Sequence, residues 1–304
     1  MAADCGTVPP GSRPPAAASA RRRVIFCADD FGLSPAVNEA VERAHREGIL
    51  GAASLMVAAP EAADAVRRAR ALPALRVGLH LVVIEGPAVL PPAAIPDLVD
   101  TAGQFPSDQL RLGLRYAFHP RVRRQLAAEI RAQFAAFAAT GLALDHADAH
   151  KHMHLHPTVG RLMCDIGQEF GLRAIRVPAE PPAVLHAAGV RTGFGDRALY
   201  RWSGLLRAQA RRAGMTVPDH CFGIAWSGHM TATRMRSLAP LLPNGLSEVY
   251  FHPASRQDAP LAKLMPRYEH VAELDALCDP EVAAAFAAAG ARQVTYTEET
   301  TRCR

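Results

Sequence analysis

Eight short apolar runs, separated by helical patterns, restrict the folds open to this chain more than any other feature. The runs span residues 23–28, 53–58, 77–83, 142–147, 174–177, 222–225, 248–251 and 293–296. The segments between them carry recognisable helix ends. Ser34 is placed to cap a helix whose first residue is Pro35, with Val37, Ala40, Val41 and Ala44 as its apolar stripe and Gly48 as its stop. Residues 121–140 repeat the scheme with Val122, Leu126, Ile130, Phe134 and Phe137 on one face and Gly141 at the end. Further helices are expected over 157–170, over 196–213 and from Asp279-Pro280-Glu281 to Gly290. Strand–helix alternation implies a parallel sheet covered by helices. Eight strands suggest an α/β fold of the TIM-barrel-like (β/α) barrel kind, distorted or incompletely closed. A doubly wound open sheet is the alternative, but no G-x-G-x-x-G follows the first strand, which weakens a dinucleotide-binding reading.

The length of 304 residues suits one barrel of about 250 residues with tails. The expected organisation is a disordered N-terminal extension over 1–22, rich in Ala, Pro and Gly, and one barrel domain over 23–304. Hydrophobic residues make up 49% of the chain, which excludes global disorder. The net charge is +5. Arginine runs such as Arg21-Arg22-Arg23, Arg123-Arg124 and Arg211-Arg212 contribute much of it and read as solvated faces and a basic tail. Weak attraction to an anionic membrane surface is compatible with that charge. Nucleic acid is not an expected partner, because no basic motif is interleaved with aromatics. The six cysteines are scattered without a CxxC pair, which argues against a zinc finger or a disulfide framework. The expected setting is cytoplasmic, with peripheral contact at the inner membrane face as the extension of that expectation. No apolar run reaches the roughly 18 residues of a membrane span.

One segment breaks the alternation. Residues 84–106 are proline-rich and lack periodicity, and they follow the run that carries His80. A connection of this length is expected to act as a mobile lid over a site. Its Val89, Leu90, Ile95 and Leu98 offer apolar surface.

Polar residues able to bind metal fall at the ends of separate runs. Asp29 and Asp30 end the first run, and His80 lies in the third. Asp148 and His150 follow the fourth, and His252 ends a later one. Barrel enzymes assemble their sites from strand ends on one face. Adjacent side chains on a strand point in opposite directions, so one of Asp29 and Asp30 can hold a cation while the other takes a proton. A histidine buried in the apolar run Val77-Gly78-Leu79-His80-Leu81 needs a partner, which a metal would supply. Five of the thirteen histidines are His146, His150, His152, His154 and His156. If extended, residues 148–156 would span about 26 Å, so only one or two can reach one ion.

The motifs Ala28-Asp29-Asp30-Phe31-Gly32, Gly78-Leu79-His80-Leu81, Asp148–His154 and Glu248–Pro253, in that order, resemble those of the YdjC-like carbohydrate deacetylases, a family similar to the chitooligosaccharide deacetylases. The tract Asp145–Pro157, with Phe222–Met230, is still more similar to the hopanoid-biosynthesis-associated branch. The resemblance implies a barrel-like fold, one divalent ion and hydrolysis of an acetamide on an amino sugar. It implies Asp30, His80 and His150 as metal ligands, Asp29 as the catalytic base and His252 as the general acid. Asp148, His152, His154 and Arg176 are assigned to substrate or to the surroundings of the ligands. Mixed N/O ligation suits zinc and also admits magnesium, manganese or cobalt. The branch implies an N-acetylglucosaminyl group on a bacteriohopane lipid as substrate. Ala149 stands where the family often has Ser, and the N-terminal extension has no counterpart. A soluble chitooligosaccharide deacetylase, a metal-dependent phosphoesterase or amidohydrolase, and a non-catalytic metal- or lipid-binding protein remain the alternatives.

Overall fold

The structure is a computed structural model and describes residues 21–302. Strand β1 (Arg22–Phe31) leads into α1 (Pro35–Glu47), β2 (Ala52–Leu55), α2 (Ala62–Arg70) and β3 (Arg76–Leu81). A long connection precedes α3 (Gln109–Phe118), α4 (Pro120–Ala139) and β4 (Leu144–Ala149). A 3-10 turn over His150–Leu155 joins β4 to α5 (Pro157–Glu169), α6 (Pro182–Ala187) and α7 (Phe194–Arg212). The rest comprises β5 (His220–Phe222), α8 (Ala232–Leu238), β6 (Gly245–Phe251), α9 (Ala259–Leu264), α10 (His270–Cys278), α11 (Pro280–Ala288), β7 (Ala291–Gln293) and α12 (Tyr296–Arg302). The expected extension lies outside the described residues as far as residue 20, and Arg22 already belongs to β1.

The strands form one parallel sheet in the order β4-β3-β2-β1-β6-β5, with β7 also pairing β1. The sheet curls. Beyond β4 it continues through single bridges, Ala147 with Ile175 and Ala174 with Thr216, and the Cys221 amide donates to the Ala179 carbonyl. The result is a distorted, incompletely closed (β/α) barrel. The expected strand over 174–177 is reduced to these bridges. Pro178 follows it directly and lacks the N–H that would extend the ladder.

The two faces of the sheet explain where the site must lie. On β1, Val24, Phe26 and Ala28 pack outward with Val37, Ala40, Val41 and Ala44 of α1. Ile25 and Cys27 face inward, into a second, smaller cluster with Tyr250 and Tyr296. The same period of two places Leu79 and Leu81 of β3, Ala147 and Ala149 of β4, and Val249 and Phe251 of β6 in the outer layer. Inward positions are thereby left to Gly78, His80, His146, Asp148 and Glu248. Gly78 is required by space, since a Cβ there would lie 2.6 Å from the His146 ring.

Ser34 accepts from the Val37 amide, as expected of the α1 cap. Gly141 and Gly214 follow the ends of α4 and α7 with φ of 72° and 68°. The connection over 84–106 corrects an expectation. Ile95 and Leu98 lie in the core instead of forming a free apolar surface. The Val82 amide donates to Gln133 Oε1, and the Val89 and Leu90 amides donate to the Glu129 carboxylate at 2.8 and 2.9 Å. Asp97 N–H donates to Gln125. Helix α4 therefore clamps the segment by its side chains. Glu85 pairs with Lys151, next to His150.

Replacing Glu129 by Ala strips two backbone donors of their acceptor and should lower the unfolding free energy in urea by about 1–3 kcal/mol. A loss under about 0.5 kcal/mol, the usual scale of a surface substitution, would show that α4 does not hold the connection.

Candidate active site

The inward residues of β1, β3, β4 and β6 meet at the carboxyl ends of the strands. Asp29 continues the inward set of Ile25 and Cys27. Its two carboxylate oxygens accept from Arg176 Nη1 and Nη2, both at 2.7 Å. The β1–β2 register then shifts between Ala28 and Phe31, and Asp30 has φ of 60°. This bulge lets two consecutive carboxylates serve two neighbouring groups. Asp30 Oδ1 lies 3.1 Å from His150 Nδ1 and 3.3 Å from His80 Nε2. The other nitrogen of His80 is 2.7 Å from Asp148 Oδ1. Asp148 Oδ2 accepts from Ser54 Oγ and lies 2.8 Å from Arg176 Nη1. The guanidinium also donates from Nε to Glu248 Oε1 at 2.8 Å.

Asp30, His80 and His150 each offer a ligand atom, and the three atoms lie within 4.8 Å of one another. Asp30 Oδ2 is buried and has no hydrogen-bond partner. Burial opposes ionisation of Asp30, yet His150 and His80 outweigh it and hold its carboxyl well below the usual carboxylate range. Burial likewise opposes a charged His80, but the neighbouring Asp148 and Asp30 carboxylates prevail and push its pKa up to about 10. The pocket thus favours a positive charge between Asp30 and Asp148. An orphaned carboxylate oxygen beside two imidazoles is a donor set that fits a divalent cation. Asp29, His80 and Asp148 make a second close group, but Asp29 and Asp148 are both engaged by Arg176.

His252 follows β6. Its ring lies 5.7 Å from that of Tyr250 and 5.2 Å from that of Tyr268. Its amide donates to Glu273, its carbonyl accepts from His270, and its Nδ1 is buried without a partner. Burial lowers its pKa, against the pull of the Asp30 and Asp29 carboxylates. Tyr268 is held close by Gly228, where a Cβ would meet the tyrosine ring at 2.1 Å.

The histidine tract divides by task. His146 lies deeper in the interior, 3.0 Å from both Asp145 and Ser54 and stacked on Tyr296. His150 opens the 3-10 turn and reaches Asp30. His152 is 2.9 Å from the Tyr250 hydroxyl. His154 is fully buried beside the Arg176 carbonyl, and burial takes its pKa down to about 3. His156 packs near Tyr116. The turn is far shorter than an extended tract because Lys151 and His152 both adopt positive φ. The non-glycine residues with positive φ among the described residues are Asp30, Glu85, Lys151 and His152. They gather at this site, as strained backbone commonly does. Sequence reasoning did not single out Ser54, Tyr250, Glu248 or Tyr268. Glu248 was recognisable as a charge in an apolar run, at the same alternation that places Tyr250 and His252.

A curled parallel sheet with carboxylates and imidazoles gathered at its strand ends defines the class: a barrel-like α/β protein with a polar centre at the carboxyl face. The sequence matches the YdjC-like protein family over residues 23–288, and the chain belongs to that family. It is similar to a carbohydrate deacetylase of Geobacillus stearothermophilus, 31% identical over 91% of this chain and 98% of the relative. A carbohydrate deacetylase of Brevibacillus brevis is 37% identical over 53% of this chain and 59% of its own. Among solved structures, a protein of Enterococcus faecalis provisionally described as a cellobiose-phosphate cleavage protein superposes with a TM-score of 0.72 at 22% identity, over 91% of this chain and 98% of that one. That likeness supports the fold alone.

Arg176 is fully buried among Asp29, Asp148 and Glu248. Arg176→Met should cost about 3–5 kcal/mol in denaturant unfolding, because it leaves buried carboxylates uncompensated. Arg176→Lys should recover little of this, since a point charge cannot make the forked contacts. Unfolding of the Met variant within about 1 kcal/mol of wild type, the size of a typical single hydrogen bond, would contradict the network.

Proposed function

We propose that this chain is a metal-dependent carbohydrate N-deacetylase, a hydrolase that removes the acetyl group from an N-acetylglucosaminyl substrate. The single observation that carries the reading is the buried trio Asp30, His80 and His150 with its orphaned oxygen, beside an Asp29 fixed by Arg176. The full-length similarity to a carbohydrate deacetylase supports it. Asp30, His80 and His150 would hold the ion. A divalent cation there supplies a Lewis acid for the acetamide carbonyl and lowers the pKa of water.

The remaining work belongs to the protein. Asp29 takes a proton from the attacking water, and its bidentate contact with Arg176 fixes the direction of its oxygens. Asp148 accepts from or pairs with His80 Nδ1 and so orients the other ring nitrogen towards Asp30. His252 donates a proton to the leaving amine, because an unprotonated amide nitrogen leaves poorly. Burial depresses its pKa, so an imidazolium formed there gives up its proton readily. Tyr250 and Tyr268 flank its ring and limit its rotation.

The finer reading of the substrate is a glucosaminyl head group on a hopanoid lipid. No helix among the described residues is long and apolar enough to cross a membrane, so such a substrate would be met at a surface. A groove of about 390 Å³ supports an apolar aglycone. It is lined by Lys151, His152, Met153 and Leu155 and by residues of α3 and α7, Leu199 among them.

The test is acetate release from N-acetylglucosaminyl-bacteriohopanetetrol and from chitobiose, with phosphoesters as controls. Acetate should appear, stop on chelation, and return when zinc or magnesium is restored. Phosphate release without acetate would move the chain to the phosphoesterases, and preference for chitobiose would remove the lipid. His252→Ala should lower turnover by about 10²–10⁴-fold, the range for a positioned proton donor, and less on acetanilides with good leaving groups. An equal loss on both kinds of substrate would deny His252 the role of acid.

A further inference from the structure

Eight large apolar side chains are exposed among the described residues, and seven of them sit on two helices. Helix α3 presents Leu110, Leu114 and Phe118, spaced by four along one stripe and 76%, 53% and 74% exposed. Helix α7 presents Phe194, Trp202 and Leu205 on one side, with Phe194 89% exposed, and Tyr200 on another. The opposite side of α3 buries Leu112 and Tyr116 in the core. The exposed stripe is therefore additional to what the fold needs from this helix.

The two helices are the walls of one groove. Gln109 and Gly113 of α3 and Leu199 and Trp202 of α7 line it, together with Lys151 and His152, the residues after His150. Trp202 is fastened there, its indole N–H donating to the Leu155 carbonyl. Exposed cations accompany the apolar side chains: Arg111 on α3, and Arg197 and Arg201 on α7. Within the two helices the sole acidic residue is Asp196.

We infer that the exposed apolar side chains of α3 and α7 form a docking surface for an anionic lipid bilayer, which brings the groove between the two helices to the membrane. Soluble monomers seldom leave apolar side chains concentrated in this way without a partner. Amphipathic helices that lie in a lipid interface combine bulky apolar side chains with basic ones, and arginines near the surface add attraction to anionic headgroups. A second copy of this chain would also cover apolar side chains, but it would bring the same arginines against one another. The bilayer satisfies both the apolar and the cationic component. Its use deepens the deacetylase reading: an N-acetylated sugar on an apolar carrier would keep its carrier at the membrane while its head group enters beside Lys151.

The experiment is sedimentation of the full chain with vesicles of phosphatidylcholine and phosphatidylglycerol in equal parts, and with phosphatidylcholine alone. Wild type should bind the anionic vesicles and bind neutral ones more weakly, and added salt should reduce the difference. The combined variant Leu110→Ser, Leu114→Ser and Phe118→Ser should bind at least about tenfold more weakly. Phe194→Ser provides a second, single substitution on the other helix and should weaken binding in the same direction. These side chains point to solvent, so the unfolding midpoint and acetate release from a soluble sugar should not change. Absence of binding by wild type, or equal binding by folded variants, would overturn the inference. A concentration-dependent dimer that the serine variant dissolves would also overturn it and assign the face to a second copy. Vesicle binding is read without substrate, so failure to release acetate counts against the deacetylase reading and not against this surface.

Discussion

The buried guanidinium of Arg176 is the charge on which the interior depends. It meets Asp29, Asp148 and Glu248 within 2.8 Å. Ionised carboxylates in a dry interior are tolerated only when paired and hydrogen-bonded. Arg176 draws strands β1, β4 and β6 to a common centre, and Tyr296 adds a hydroxyl donor to Glu248 from α12. The position of Arg176 is itself fixed by backbone contacts. Its amide donates to the Ala147 carbonyl, and its carbonyl lies beside the His154 ring. The short bridged segment that fails to become a strand thus still delivers the residue that the centre requires.

Around this charge the arrangement is asymmetric. Asp29 and Asp148 share the arginine, whereas Asp30 is left to His80 and His150 with one oxygen unpaired. The contrast comes from one irregularity in β1, where the backbone turns through a positive φ at Asp30. A regular strand would have turned Asp30 towards the helix layer, as it does Phe26 and Ala28. The bulge provides a second inward carboxylate, Asp30, beside the Asp29 that Arg176 holds.

Much of this was legible in the sequence because it depends on a period of two. Apolar residues at 24, 26 and 28, and at 249 and 251, mark the helix-facing side. The intervening Asp29, Glu248 and His252 must then face inward or towards the strand ends. Helix ends were equally plain at Ser34 and at the glycines after α4 and α7. What could not be read was long-range pairing. Residues 84–106 have no periodicity because amides among them bond to Gln125 and Glu129, two polar positions on α4 that look like ordinary surface residues in sequence. The compact histidine turn was hidden because Lys151 and His152 enter a backbone region seldom used by such residues. The apolar stripe on α3 has the spacing of a core face, and only the fold shows that another face of that helix is the buried one.

The proposed mechanism divides labour between neighbours: Asp30 would hold a cation, and Asp29 would move a proton. The most direct measurement is titration of metal-free protein with cobalt(II), followed by its visible absorption, for wild type, Asp29→Asn and Asp30→Asn, alongside acetate release by each. The Asp29 variant should bind cobalt about as tightly as wild type but turn over about 10²–10⁴-fold more slowly, as expected when only a general base is lost. The Asp30 variant should lose both cobalt binding and activity. Tight cobalt binding by the Asp30 variant, or near-normal turnover by the Asp29 variant, would contradict it.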